Sequence, residues 1–373
     1  MTFDRYRETS IKRATRKKRS RGHAPIRRII EDGSIPLPKS WSNFVALNEN
    51  KADLARFLSD KLLAGAAVNK IVIVGGGFEE EDAVKCSRPN IDIRALKGFH
   101  EEADTRMILH CVHSDAEFLV VSCQDTDVFF LLVSHLDKMS CKQLWMRAGT
   151  SKEPKYLPIH TIRERLKETI PEVEAILSFQ AITGCDTVSY FAGHSKKTSW
   201  KTFTEHHRLL RNLGNGDLDD LTMTSTEKFI CRVYNVADAE SCNEARATLF
   251  SRCRSPEALP PTSDAAQLHI RRAHFQAMIW KQAHLTNPTL PLPETMGWSR
   301  LNDKLVPKLM SLAPVPESCD EMVNCGCKSG CKTMKCSCRN VGLPCTGAYK
   351  CRSTKDVRCQ NVANDDAVEN EGQ

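Results

Sequence analysis

The sequence predicts an α/β protein with a parallel sheet and a small cysteine-rich module towards its C-terminal end. Three observations carry that prediction. Between residues 49 and 183, short apolar runs alternate with segments of helical periodicity, the pattern of strands joined by crossover helices. Nine of the 17 cysteines fall between Cys319 and Cys359. Charge is also unevenly placed: residues 5–28 hold eleven Lys/Arg against one acid (Glu8), and residues 325–359 hold eight against one (Asp356). Since the whole chain of 373 residues carries +7, the remainder is acidic, near −10. Basic segments flanking an acidic body favour polyanion partners such as nucleic acid. Hydrophobic residues at 41% and charged residues at 27% exclude wholesale disorder. The longest strongly apolar run, Val128 to Val133, is too short for a membrane span, and the polar, basic N-terminus shows no secretory leader.

Taken in order, residues 5–28 read as a basic helix or arm interrupted by Gly22 and Pro25, and residues 29–45 as a connector with Pro36, Pro38 and an anchoring Trp41. Glu49 to Leu63 is helical, with Leu54, Phe57, Leu58 and Leu62 on one face. Lys70 to Val74 is a short β-branched strand ending in Gly75, Gly76 and Gly77. Glu101 to His113 predicts a helix. Phe118 to Ser122 predicts a buried strand, followed by Gln124 to Asp127 and an apolar helix from Val128. Gln143 to Arg147 is a further strand; Ile159 to Thr169 and Pro171 to Thr183 are helices, the second stopped by Gly184. Residues 196–255 are helical in pattern, and a helix is predicted around Ile270 to His284.

Carboxylates punctuate this frame. They are Asp4, Glu102 and Asp104 in HEEADTR (100–106), Asp125 and Asp127 in SCQDTDVFFLL (122–132), and Asp186 in AITGCDT (181–187). Asp125 and Asp127 follow a strand directly, where open α/β sheets place their ligands. Spaced i, i+2 in extended chain they point the same way, and two such carboxylates suit a hard cation such as Mg²⁺ or Mn²⁺. Asp186 follows a helix end. Glu102 and Asp104 are about 200° apart on an ideal helix, so they converge only if the helix begins between them. Each acid also has a structural reading: Asp127 as an N-cap, Glu101, Glu102 and Asp104 as complements to a helix dipole.

In order and spacing these motifs resemble flap-endonuclease-like nucleases, a branch of the PIN-like fold. The family's Phe-Asp-Gly strand end, with Lys and spaced arginines after it, is matched by Phe3-Asp4, Lys12, Arg13, Arg16 and Arg19. Its Glu-Ala-Glu-Ala helix start is matched by Glu102-Ala103-Asp104-Thr105, its Asp-x-Asp-Leu-Leu by Asp125-Thr126-Asp127-Val128-Phe129, and its Leu-Gly-Cys-Asp-Tyr by Thr183-Gly184-Cys185-Asp186-Thr187. The resemblance implies a PIN-like Rossmannoid parallel sheet flanked by helices, and a two-metal phosphodiesterase. Asp4, Glu102, Asp104, Asp125, Asp127 and Asp186 would ligate Mg²⁺ or Mn²⁺ or position metal-bound water. Lys12 and Arg16 would lie over the scissile phosphate; their alternative is a solvated basic face or a nuclear localisation signal, Arg16-Lys17-Lys18-Arg19. The family's first strand, with its own metal-binding Asp, has no counterpart before Asp4. Its Gly-x-Gly phosphate-gripping hairpin is Gly193-His194-Ser195 here, followed by Lys196 and Lys197 as nucleic-acid contacts.

The cysteines read Cys325-x-Cys327-x3-Cys331-x4-Cys336-x-Cys338-x6-Cys345-x5-Cys351-x7-Cys359. A segment so poor in large apolar residues needs zinc–thiolate bonds for its fold; disulfides, or a metal-free remnant, are the alternatives. It resembles the tesmin-type CXC domain, which gathers nine cysteines around three zinc ions and binds DNA. Tyr349 stands where that pattern has a Cys, and about five residues are inserted before Cys359. Lys328, Lys332, Lys335 and Arg339 are interleaved and suit phosphate contacts. The chain as a whole looks similar to animal proteins, some derived from mobile elements, that join these two domains.

The expected organisation is a nuclease-like domain over 1–200, a helical extension over 201–255, a connecting segment over 256–318, the cysteine-rich zinc domain over 319–361 and an acidic disordered tail over 362–373. The expected activity is metal-dependent hydrolysis of nucleic-acid phosphodiesters in the nucleus, with DNA as partner and no membrane. The alternative is a catalytically inactive nucleic-acid-binding adaptor descended from a mobile element.

Overall fold

The computed structural model describes residues 1–7, 9–250, 258–312, 325–345, 351 and 359–361. Cys319, Tyr349 and the tail 362–373 lie outside the described residues. The chain divides into two compact units. The first comprises Met1–Ser189, Phe203–Asp219 and Arg271–Lys308; the second comprises Tyr190–Thr202, Asp220–Ile270 and Leu309–Gln373.

The first unit is mixed α/β. The chain start lies beside β1 (Ile73–Gly75): the Met1 amino group donates to the Ile73 carbonyl, the Phe3 amide donates to the Gly75 carbonyl, and the Gly75 amide donates back to the Met1 carbonyl. Gly76 makes this possible. Its φ is +80°, and a Cβ there would lie 2.3 Å from the Phe3 carbonyl oxygen. β1 pairs antiparallel with β2 (Val84–Cys86), an element with no sequence signal. β3 (Phe118–Ser122) runs parallel to β4 (Gln143–Gly149), which turns back through an antiparallel β5 (Pro154–Pro158). Together with β6 (Trp298–Leu301) and β7 (Lys304–Pro307), the described strands form three separate small sheets. The parallel geometry expected from the alternation is thus confined to β3–β4 and a bridge between Thr2 and Gly75.

Two expectations need correcting. β3 is not a buried strand: Phe118 and Val120 are 62% and 57% exposed, and Val121 alone is buried. The reason is that β3 is an edge strand, paired only with β4. The buried stripe of α3 (Asn48–Ala64) is Asn50, Ala55 and Ser59, not its leucines, and Leu58 is exposed. Small residues are needed because Gly77 packs directly on Ala55 and Ser59. Asn50 binds the preceding segment through four hydrogen bonds, giving two to the Ile26 and Phe44 carbonyls and accepting two from Arg27 and Arg28.

The remaining helices of this unit are α1 (Arg13–Arg19), α2 (Trp41–Val45), α4 (Ala103–Val112), α5 (Thr126–His135), α6 (Ile159–Thr169) and α7 (Ala175–Ile182). α2 lies inside the predicted connector and is capped by the Ser40 side chain. The apolar core of the unit includes Ile108, Leu131, Leu132, Leu144 and Phe179. A separate cluster of Phe275, Met296, Trp298 and Leu305 packs β6 and β7 onto the end of α11 (Ser263–Lys281). No described helix is long and apolar enough to cross a membrane.

The second unit is helical, with α9 (Asp220–Val233) and α10 (Cys242–Phe250) joined through the buried Glu227, which accepts from the Cys242 amide and the Ser263 hydroxyl. It includes the cysteine cluster, which carries the short helix α12 (Ser337–Asn340) and against which Phe250 packs.

Candidate metal centres and nucleic-acid cleft

The carboxylate region is assembled where the chain start meets the beginning of α4. The Arg5 amide donates to the Glu101 carbonyl at 2.8 Å, and Asp4 Oδ1 accepts from the Ala103 amide at 2.8 Å, so Asp4 serves as a donor-satisfying cap from outside the helix. Glu102 is the last residue before α4, in extended conformation (φ −89°, ψ 137°), while Asp104 lies in its first turn. The helix therefore begins between them, as their convergence requires. Two members of the same motif fix this loop. Fully buried Arg106 donates to the carbonyls of Gly98 and His100, and the His100 ring contacts Thr105 and the Leu285 carbonyl. Neither was singled out from sequence; a buried Arg in an apolar helix face is the signal that could have found them.

Lys12 sits among these acids. Its ammonium lies 3.0 Å from Glu102 Oε2 and 3.9 Å from Asp186 Oδ2. Burial alone would lower its pKa, but the charges of Glu102 and Asp186 outweigh this and raise it, so it is a cation at every physiological pH. Glu102 Oε2 is buried and receives no well-directed hydrogen bond; the Lys12 contact is an ion pair. Asp104 is pushed up to about 7, first by burial, then by the neighbouring Glu102; Lys12 opposes the rise, and Asp4 and Asp125 add to it. Asp4, Glu102, Asp104 and Asp125 therefore share one electrostatic environment.

The other acids divide. Asp125, not Asp127, is the N-cap of α5, accepting from the Asp127 amide at 2.8 Å; this corrects the structural reading of Asp127. Asp127 Oδ1 instead accepts from the Gln180 amide of α7 at 2.5 Å. Asp186 follows Gly184, whose φ of +106° ends α7. Its two oxygens face Arg19 at 2.6 Å and Lys12, and Thr15 donates to its carbonyl. Arg16 is drawn elsewhere: it pairs with Glu101 at 3.0 Å and stacks over the Tyr6 ring.

Beside these groups opens a cleft of about 290 Å³ whose walls include Asp4, Tyr6, Lys12, Arg16, Arg19, Lys51 and Asp186. Lys51 also lies over Tyr6, so that ring is flanked by two cations. A cationic wall facing carboxylates is suited to a phosphodiester held between them. Lys196 and Lys197 open α8 (Lys196–His206) after the turn at Gly193, with the Ser195 hydroxyl accepting from the Thr198 amide.

Among the described residues, the groups of three or more metal-ligating side chains whose ligand atoms all lie within 4.8 Å are made of cysteine alone. One is Cys325, Cys331, Cys345 and Cys351; the other is Cys325, Cys336, Cys338 and Cys345; all six are buried. Sulfur separations are 3.6 Å for Cys325–Cys331, 3.4 Å for Cys325–Cys336 and 3.8 Å for Cys336–Cys345. A disulfide would need about 2 Å, whereas a tetrahedron with zinc–sulfur bonds of about 2.3 Å has edges of about 3.8 Å. The donor set fits zinc. Burial would raise the Cys336 thiol, but the Arg339 amide and then neighbouring thiols bring it down, whereas burial pushes the Cys331, Cys338 and Cys351 thiols up. The Asn361 amide donates to Cys345 Sγ. Cys359 is buried in the cluster but belongs to neither four-thiol group, and Cys327 is partly exposed beside Ser329. Lys328, Lys332 and Lys335 are exposed, and Arg339 reaches the Gln360 carbonyl.

No known family model, curated protein or solved structure matches this chain.

Proposed function

We propose that this chain is a nuclease-like protein that acts on nucleic-acid phosphodiesters with Mg²⁺ or Mn²⁺ at its carboxylate cluster and binds DNA through a zinc-bound cysteine-rich tail. The observation that carries the reading is the gathering of Asp4, Glu102, Asp104, Asp125 and Asp186 from four separate chain segments next to one cationic cleft. The PIN-like resemblance agrees with it. The donor set is all carboxylate, which suits a hard divalent ion, and buried Glu102 Oε2 carries no hydrogen bond beyond its ion pair with Lys12. Metal bound there would supply Lewis-acid charge for phosphodiester hydrolysis. The chain's own groups would do the rest: Arg16, Lys51 and Arg19 attract the phosphate backbone, and Asp104 supplies a carboxylate beside Glu102. The exposed run Lys17-Lys18-Arg19 on α1 would serve nuclear import.

A second reading, a nucleic-acid-binding adaptor without catalysis, is favoured by one observation: no three of the described carboxylates approach within 4.8 Å of one another. Incubating the zinc-loaded protein with single-stranded, hairpin and flap oligonucleotides in Mg²⁺ or Mn²⁺ decides between them. Cleavage lost in Asp125→Asn, a change that keeps the α5 cap but removes a charge, supports the nuclease. Salt-dependent binding without cleavage supports the adaptor.

A further inference from the structure

We infer that Lys12 is a built-in cation that holds the carboxylate cluster against divalent metal until a nucleic-acid phosphate draws it away, so that metal loading and substrate binding are coupled. The inference rests on reading the cluster as a metal site and says what regulates it.

The Lys12 ammonium lies 3.0 Å from Glu102 and 3.9 Å from Asp186, two acids contributed by different segments of the chain. Arg19 takes the second oxygen of Asp186. These oxygens are therefore neutralised from within the chain. A divalent ion bound to Glu102 and Asp186 would compete with the ammonium for the same oxygens, and like charges so close repel strongly in a partly buried site. This accounts for carboxylates that share one electrostatic environment yet do not close on a metal-sized point.

Lys12 is also placed to leave. It precedes the first turn of α1, and its side chain lines the cleft that holds Arg16, Lys51 and Tyr6. A phosphate entering that cleft offers the flexible ammonium an alternative anion, and rotation of the side chain need not disturb the helix. Coupling of this kind is reciprocal: whatever phosphate does for metal affinity, metal does for phosphate affinity.

The test is Mn²⁺ binding to the full-length, zinc-loaded protein, read by electron paramagnetic resonance of free Mn²⁺, with folding checked by circular dichroism. Lys12→Gln is expected to tighten Mn²⁺ on the order of 10-fold, the usual scale of a coupling between two ligands, while Lys12→Arg retains the weak affinity of the parent protein. A single-stranded oligonucleotide, with its own Mn²⁺ uptake subtracted, should tighten Mn²⁺ binding to the parent protein and not to Lys12→Gln. Unchanged or weaker Mn²⁺ binding in Lys12→Gln, or an oligonucleotide effect that persists in it, overturns the inference while leaving the metal site standing. If Lys12→Gln does not fold, the exposed Arg19→Gln decides: tighter binding supports the inference and unchanged binding overturns it. Absence of Mn²⁺ binding from every form removes the metal reading itself.

Discussion

Asp104 shows how neighbours set a single group. Its unfolded-state carboxyl releases its proton near the ordinary 3.8, whereas the folded one keeps it to about 7. Between those values the folded state binds more protons, so stability falls as pH rises through the window. In EDTA, Asp104→Asn should therefore melt higher than the parent protein at pH 8, with the gap closing towards pH 4; thermal melts across that range check it. Asn50 makes the opposite case, a polar side chain that belongs to the fold. With four hydrogen bonds at 2.8–3.0 Å to the chain before it, Asn50→Leu should cost on the order of 3 kcal/mol through unpaired partners, seen as a lower urea midpoint. Both residues lie in segments whose sequence reads as helix, and the helices are there. Their burial was not legible, because it depends on what packs against them from far along the chain.

At the scale of elements, the cysteine module makes the sharpest prediction. Cys325 and Cys345 belong to both four-thiol groups, whereas Cys327 belongs to neither. Cys325→Ser should lose zinc from both groups, while Cys327→Ser retains the metal of the parent protein; native mass spectrometry counts the ions. Chelator should unfold the segment from Cys325 to Asn361, whose described buried residues are almost all cysteine. Spacing identified this module but could not say which thiols meet: six of the eight predicted ligands form the two groups, and Cys327 and Cys359 do not join them. The α4 start was legible in the same way. The geometric conflict between Glu102 and Asp104 required a helix boundary between them, and the boundary is there. β2 and β5 were not legible, because each is a short partner strand whose existence depends on pairing rather than on its own pattern.

For the whole molecule, charge geography predicts nucleic-acid binding with a steep salt dependence. Lys17 and Lys18 are exposed on α1, so Lys17→Gln with Lys18→Gln should reduce the slope of log affinity against log salt by up to about 2. Fluorescence anisotropy on a labelled oligonucleotide from low to high salt measures it, and an unchanged slope would show that α1 does not contact the backbone.

The sequence by itself determined the mixed α/β character, the order of the helices that carry the acids, the cysteine module and the placement of basic charge, since periodicity, spacing and composition are local properties that survive whatever the chain packs against. Tertiary structure alone decided that the sheets are small and separate, that Phe118 and Val120 face outward, that Arg271–Lys308 packs with the N-terminal unit, and that Asp127 turns to Gln180 while Lys12 turns inward to Glu102 and Asp186. The physical reason is that an ion pair or a buried face is a property of two segments at once. Glu102 and Lys12 are ninety residues apart, and no local pattern in either specifies the distance at which their charges meet.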